Sequence, residues 1–180
     1  MRTFLREIIG TIILAAVVFF LLQATLQTFI VVGSSMEPNF QWTQRLVINK
    51  AVYHFHEPEM GDAIVFHPVG NRQADYIKRV IALPGDTVEI KEGVVYVNGS
   101  KLHEPYIKEP AGGNFLSDPI PDENYFVLGD NRNNSNDSRN GWTVPRQNII
   151  GKVWLSIWPP SLWGLVPDYP LQEQLVSPAE

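Results

Sequence analysis

Three short polar segments of this 180-residue chain carry side chains whose types suit covalent catalysis. The first, Gly33–Pro38, holds two adjacent serines beside apolar neighbours, where a serine hydroxyl could act as a nucleophile. The second is centred on Lys78, a lysine inside the apolar, strand-like run Tyr76–Val80. If the Lys78 side chain points inward, burial disfavours its charged form and lowers its pKa, so the amine can serve as a general base near neutral pH.

The third polar segment, Gly129–Arg139, consists of eleven polar or glycine residues that follow the strand-like run Tyr125–Leu128. Each of the three segments also has a purely structural interpretation. The serines suit a turn or a helix cap, the lysine suits an edge strand from which its amine reaches water, and the third segment suits a surface loop closed by its own Asx turns. Taken singly, none of the three establishes a function.

The composition argues against several other kinds of site. A net charge of −5 is unsuited to a nucleic-acid partner, which usually needs a basic face. The absence of cysteine excludes disulfides and thiolate chemistry. His54 and His56 alternate as on one face of a strand, but no zinc-binding histidine motif and no phosphate-binding glycine-rich loop is present. We therefore expect no metal, no other cofactor and no nucleic acid.

The start of the chain predicts a membrane anchor. No charged residue occurs from Ile8 to Met36, and Ile8–Thr28 is long enough to cross a hydrocarbon core of about 30 Å. Because Arg2 and Arg6 precede this stretch, the positive-inside rule places the N-terminus in the cytoplasm and the rest of the chain on the far side. The alternatives are a cleaved signal peptide, whose apolar region is shorter, and a buried core helix, which would show an apolar stripe.

Beyond the anchor, the sequence predicts a mainly β fold of antiparallel strands. Thirteen glycines and fourteen prolines favour short strands joined by turns, and Asn98–Gly99 is a strong hairpin signal. Strands are predicted at 45–49, 62–66, 87–90, 94–97, 100–102, 125–128 and 152–155, with a long irregular segment over 103–121. The predicted layout is residues 1–7 in the cytoplasm, 8–28 in the membrane, a β-rich domain over 29–160 and a tail over 161–180.

The three polar segments and the anchor, taken together in this order, resemble bacterial type I signal peptidase. The resemblance covers about residues 1–160 and rests on these segments: Ser35–Pro38, Gly61–Phe66, Tyr76–Arg79, Leu83–Asp86 and Gly129–Arg139. It implies a monomeric, membrane-bound serine endopeptidase that contacts lipid and removes signal peptides from exported preproteins. The enzyme is expected in the plasma membrane, or in an internal, thylakoid-type membrane, as a single-pass protein.

The resemblance also assigns roles to individual residues. It makes Ser35 the nucleophile and Lys78 the base, and it implies that Ser135 hydrogen-bonds to the lysine amine and orients it. Four further residues would form two structural pairs: Asp137 with Arg139, and Arg79 with Asp130. Gly33 stands where some members have a serine that completes the oxyanion hole, which leaves the Ser35 backbone N–H as the expected donor.

Type I signal peptidases select small residues at the first and third positions before the cut. A shallow apolar pocket beside the nucleophile explains this rule, because a larger side chain would clash with its walls. The residues expected to line such a pocket here are Phe29, Val31, Met36, Phe40, Tyr76 and Ile77. Two other departures from the family pattern are Asn39 in place of a common threonine and Asn133 in place of a common aspartate.

Two rival functions, and two interpretations of the C-terminal tryptophans, are compatible with the sequence. A self-cleaving repressor of the SOS type also uses serine and lysine, but it should begin with a DNA-binding helix-turn-helix. A membrane-tethered binding domain would use Ser35 and Lys78 only structurally. The tryptophans near the end of the chain suit either core packing or contact with lipid headgroups; they are Trp154, Trp158 and Trp163.

Overall fold

The structure is a computed structural model that describes residues 2–70 and 74–176. Helix α1 spans Arg2–Thr25, and its Arg6–Thr25 part is exposed, apolar and long enough to cross a membrane. The helix ends three residues before the predicted Thr28. The reason is that Leu26–Ile30 continue as a strand whose backbone pairs with Arg45–Asn49, so tertiary pairing ends the helix.

The remaining chain is mostly strand. In chain order the strands are β1 (Leu26–Ile30), β2 (Arg45–Asn49), β3 (Ala63–Phe66), β4 (Tyr76–Ala82), β5 (Val88–Lys91), β6 (Val94–Val97), β7 (Ser100–Lys101), β8 (Phe115–Leu116), β9 (Asn124–Leu128), β10 (Val144–Pro145), β11 (Ile149–Trp158) and β12 (Gly164–Leu165). Short 3-10 turns cover Val52–His54, Ser138–Asn140, Arg146–Asn148 and Pro160–Leu162, and a short helix α2 covers Glu173–Val176.

Across the described residues the strands form two sheets in which neighbouring strands pair antiparallel. The larger sheet has the order β1-β2-β11-β3-β4-β9-β10, with β12 paired to β11. The smaller sheet has the order β7-β6-β5-β8. The mainly β, antiparallel fold with one N-terminal apolar helix is therefore confirmed. The irregular segment predicted over 103–121 does contain the two-residue strand β8.

Strand β4 lies at the centre of the larger sheet, between β3 and β9. Six of its seven residues are buried, as are all four residues of β3, because both faces of this part of the sheet are covered. An edge-strand lysine reaching water is therefore the wrong interpretation for Lys78. The position instead forces the lysine amine into the interior of the domain.

Residues 161–176 are not a free tail. Strand β12 pairs with β11, and Leu171 is 1% exposed within the largest core cluster. In contrast, three tryptophans expose about half of their surface or more: Trp154 by 45%, Trp158 by 50% and Trp163 by 67%. Core packing, the simpler interpretation of these tryptophans, therefore does not describe them.

Candidate active site

The loop between β1 and β2 carries Ser35. Val31 and the end of the loop pair through their backbones: the Val31 N–H donates to the Gln44 carbonyl (2.9 Å), and the Thr43 N–H donates to the Val31 carbonyl (2.9 Å). Inside the closed loop, the Phe40 N–H donates to the Met36 carbonyl (2.9 Å) in a helical turn. Ser35 begins this turn and remains half-buried, so its hydroxyl is held but accessible.

Lys78 approaches Ser35 from the central strand β4. Its Nζ donates to Ser35 Oγ at 2.8 Å and to the Ile77 carbonyl at 2.9 Å. The Lys78 residue is 4% exposed. Burial lowers the pKa of the Lys78 amine from its usual 10.5 to about 8, while the charges of Asp137 and Asp130 act in the opposite direction. A substantial fraction of the amine is therefore neutral at mildly basic pH and can accept a proton from Ser35.

This pKa predicts how activity depends on pH. If neutral Lys78 is the base, kcat/KM should increase about tenfold with each unit of increasing pH until the pH reaches the pKa of Lys78, and it should be constant above about pH 8. The measurement is kcat/KM for a preprotein substrate across the pH range. If kcat/KM instead levels off near pH 6.5, the usual pKa of histidine, the assignment of Lys78 as the base is contradicted.

The same shift predicts a cost in stability. Because the folded-state pKa is below the unfolded value of 10.5, the cost is absent above that pH, grows as pH falls toward 8 and is constant below 8. A depression of about 2.5 pKa units corresponds to about 3 kcal/mol. We expect the uncharged variant Lys78→Met to be more stable than the wild type at pH 7 by up to this amount. Chemical denaturation should show the difference shrinking toward pH 10.5.

The polar segment Gly129–Arg139 folds back beneath the serine loop. Asp137 accepts two hydrogen bonds from the Arg139 guanidinium, at 2.8 and 2.9 Å, and one from the Gly129 N–H at 3.1 Å. The Asn131 N–H donates to the Ser35 carbonyl at 3.0 Å, so this segment touches the residue that carries the hydroxyl. The structure thus brings the predicted pair Asp137 and Arg139 together.

The second predicted pair, Arg79 and Asp130, is buried almost completely. Arg79 is 1% exposed and Asp130 0%. The guanidinium donates two parallel hydrogen bonds to the carboxylate, at 2.9 and 2.7 Å, and a third to the Gly61 carbonyl at 2.7 Å. Asn39 Nδ2 donates to the same carboxylate at 2.8 Å. The carboxylate therefore joins the strand of the lysine to the turn that follows the serine.

Ser135 lies against the serine loop but does not contact the lysine amine through a hydrogen bond. Its Oγ is buried and has no hydrogen-bond partner among the described residues. Gly129 separates the two serines: a Cβ added there would overlap Ser135 Oγ and lie 2.5 Å from the Ser35 carbonyl oxygen. Only glycine therefore allows Ser135 to sit this close to Ser35.

Most of the residues expected in the substrate pocket pack together. Val31, Met36, Phe40 and Ile77 are each at most 5% exposed and belong to one apolar cluster, which Phe29 joins at its margin. Tyr76 packs in a different cluster, although its ring lies 5.6 Å from Lys78 Nζ. Gly33 has φ +92°, a conformation that a serine would adopt only with strain, so this position supplies no side-chain donor.

The sequence alone assigned no role to several polar residues that hold these parts together. Asn39 Nδ2 also donates to the Tyr106 carbonyl at 2.7 Å, and Asn134 Nδ2 donates to Ser34 Oγ at 2.8 Å. Arg132 is 1% exposed and pairs with Glu104. Asn134, Arg132 and Ser34 belong to segments that the sequence singles out, but Glu104 and Tyr106 carry no local signal.

A serine hydroxyl held against a buried lysine amine on a β-domain is the arrangement of a serine hydrolase that uses lysine as its base. The family profile described as "Signal peptidase, peptidase S26" matches residues 5–158. A probable signal peptidase I-1 from Synechocystis sp. is 44% identical over 169 residues, which cover 89% of this chain and 86% of that protein. Signal peptidase IB from Staphylococcus aureus is 36% identical over 178 residues, which cover 88% of this chain and 92% of that protein.

A solved structure agrees with these relatives. The crystal structure of a signal peptidase I from Enterococcus faecalis superposes with a TM-score of 0.50 at 34% identity, over 54% of this chain and 97% of that chain. This chain belongs to the signal peptidase, peptidase S26 family, and it is a serine endopeptidase. The interpretations as an SOS-type repressor or as a non-enzymatic binding domain are therefore set aside.

Proposed function

We propose that this chain is a membrane-anchored endopeptidase that removes signal peptides from exported preproteins, with Ser35 as nucleophile and Lys78 as general base. The observation that carries the proposal is the 2.8 Å contact between Lys78 Nζ and Ser35 Oγ, made by a lysine that is 4% exposed. Names of similar proteins point to the same substrate class, since they are signal peptidases.

The first half of the reaction forms an acyl-enzyme. Neutral Lys78 takes the hydroxyl proton of Ser35 while Oγ attacks the carbonyl carbon of the scissile bond. The negative charge that develops on the carbonyl oxygen requires a hydrogen-bond donor, and we assign this role to the Ser35 backbone N–H. As the C–N bond breaks, the Lys78 ammonium returns its proton to the departing amine, which becomes the N-terminus of the mature protein.

The second half releases the signal peptide. Lys78, neutral again, takes a proton from a water molecule that attacks the acyl carbon, and then protonates Ser35 Oγ as the ester bond breaks. Each step moves one proton between Lys78 and an oxygen or nitrogen next to it. One buried amine is therefore sufficient for both halves, provided that its pKa stays near the working pH.

The anchor places this reaction at a membrane. We propose that α1 crosses the plasma membrane, or an internal membrane of thylakoid type, with Arg2 and Arg6 on the cytoplasmic side and the β-domain on the other. Thr25, the last residue of α1, is followed directly by β1, and Ser35 lies ten residues further on. The nucleophile would then lie close to the membrane surface, where a signal peptide leaves the bilayer.

The decisive experiment compares wild type and Ser35→Ala on a purified preprotein in detergent. The wild type should produce a mature chain with one new N-terminus, identified by mass spectrometry, and Ser35→Ala should produce none. A matched control is Ser34→Ala, which changes the adjacent hydroxyl and should retain turnover. Equal cleavage by wild type and Ser35→Ala would reject the proposed nucleophile.

Ser135 is proposed to orient the Lys78 amine during turnover. We expect its hydroxyl to matter for activity but not for stability. Because Ser135 Oγ is buried without a partner, Ser135→Ala should leave thermal stability unchanged or slightly raised. Its kcat should nevertheless fall by about 10- to 100-fold if the hydroxyl reaches the amine in the reacting complex. Wild-type activity at every pH would show that the segment Gly129–Arg139 is only structural.

The exposed tryptophans are proposed to lie at the headgroup level of the membrane. A variant lacking residues 1–24 keeps β1 intact and should still bind phospholipid vesicles, because tryptophan is favoured at the interface. Changing Trp158 and Trp163, the most exposed of the three, to serine in this variant should release it. Complete recovery of the truncated protein in the unbound fraction before any tryptophan is changed would refute this surface.

A further inference from the structure

The segment that follows β12 places an aromatic ring on the buried ion pair beneath Ser35 and Lys78. The Tyr169 ring centroid lies 4.9 Å from the guanidinium carbon of Arg79, and the Tyr106 ring centroid lies 4.3 Å from it. The two rings are 4.9 Å apart. Cation–π contacts gain most where water is excluded, and Arg79 is 1% exposed. Two tyrosines therefore cover the arginine of the pair.

Tyr169 is held in place by contacts on both sides of it in sequence. The Val166 N–H donates to the Trp154 carbonyl at 3.0 Å, and Asp168 lies 2.8 Å from Lys152 Nζ. Beyond the tyrosine, Leu171 is 1% exposed in the core. The segment therefore belongs to the domain, although the family match ends at residue 158.

One glycine contacts both the segment and the arginine. Gly61 has φ +101°, and a Cβ added there would overlap the Tyr169 carbonyl oxygen. The Gly61 carbonyl also accepts a hydrogen bond from Arg79 Nη1 at 2.7 Å. The C-terminal segment therefore packs directly against Gly61, whose carbonyl binds Arg79. Through this contact, too, the segment can influence the position of Arg79.

The ion pair influences Lys78 through the charge of Asp130. Lys78 faces Asp130 and Asp137 from the segment Gly129–Arg139, and both charges favour the protonated amine. On its other sides it faces the Ser35 hydroxyl and the Tyr76 ring. Arg79 offsets the Asp130 charge only while its guanidinium stays on that carboxylate. Any loosening of Arg79 leaves more uncompensated negative charge near the amine, which stabilises the protonated lysine.

We propose that Tyr169 is a positioning residue of this peptidase, which holds Arg79 against Asp130 and so keeps Lys78 in the form that accepts a proton from Ser35. This inference rests on the proposed roles of Ser35 and Lys78. It assigns a function to a residue outside the part of the chain that matches the family. Tyr169 does not touch the reacting atoms; it acts through Arg79 and Asp130.

The test measures kcat/KM of the full-length enzyme in detergent over about pH 6 to 11, with a preprotein as substrate. Tyr169→Ala should move the acidic limb, which is the rising low-pH part of the plot of kcat/KM against pH, about one pH unit higher. At pH 7 this lowers kcat/KM about tenfold, whereas the value of kcat/KM at high pH should stay near that of the wild type. Tyr169→Phe keeps the ring and should keep the wild-type limb. Tyr169→Leu fills much of the volume without a π face, and it should shift the limb even if Tyr169→Ala fails to fold.

Two variants of the same segment serve as matched controls. Asp168→Asn removes the negative charge paired with Lys152, and Leu171→Ala removes a buried side chain, while both leave the Tyr169 ring in the sequence. Both keep the Tyr169 ring, so they should lower thermal stability but move the pH profile less than Tyr169→Leu does. An unmoved limb in cooperatively folding Tyr169→Leu, or an equal shift in the two controls, would overturn the inference. An active Ser35→Ala enzyme would instead refute the proposed function.

Discussion

Turnover should fall by about 10⁴-fold or more when Lys78 is replaced by alanine, because no other amine is in contact with Ser35 Oγ in the described part of the chain. The loss should appear in kcat, since the base acts on the chemical step. It should persist at every pH, which distinguishes removal of the base from a shift of its pKa. Lys78→Met is the better structural match, because its apolar side chain refills the buried space that alanine leaves empty.

The double variant Ser35→Ala with Lys78→Met gives the sharper result. If the serine and the lysine act as one unit, the double variant should be hardly less active than either single variant. All three should unfold cooperatively, with Lys78→Met at least as stable as wild type at pH 7. If the loss of kcat in the double variant equals the product of the two single losses, the two residues act independently. Wild-type turnover by well-folded Lys78→Met would show that Lys78 is not the base.

Much of the β-domain is predictable from local pattern, and the exceptions have physical reasons. The strands at 45–49 and 94–97 coincide with β2 and β6, since alternating or β-branched runs between turn residues define them. Strand β1 is hidden at the polar end of the apolar stretch and is stabilised by pairing with β2. The two-residue strands β8, β10 and β12 exist only through their partners, so no local signal marks them.

The same division applies to the candidate site. Ser35 and Lys78 stand in segments whose composition is unusual for a plain β-domain, and the amino-acid sequence alone is enough to single them out. The contacts that support them carry no such signal. Asn39 reaches Asp130 across 91 positions, and Tyr169 reaches Arg79 from a stretch that the sequence leaves as a tail. Sheet order brings these residues together, and sheet order is set by tertiary pairing between distant strands.

Substrate choice provides the second large effect. A preprotein with alanine at the position before the cut should be cleaved more than about 100-fold better than one with leucine, as measured by kcat/KM. The physical reason is the packing of the expected pocket wall. Val31, Met36 and Ile77 are 1%, 1% and 5% exposed, so they have little room to move aside for three additional carbon atoms. The misfit acts on the transition state, because the carbonyl carbon must sit against Ser35 Oγ.

Phe40 offers a way to test the wall itself. Its side chain is 1% exposed in the same cluster, and it is larger than a leucine side chain. Phe40→Leu should therefore enlarge the pocket and narrow the ratio between alanine and leucine substrates, while cleavage of the alanine substrate stays within a few fold of wild type. Tyr76→Phe is the control, because Tyr76 packs in a different cluster and should leave the ratio unchanged. Similar cleavage of both substrates by the wild type would show that the pocket assignment is wrong, even with Ser35 and Lys78 correctly assigned.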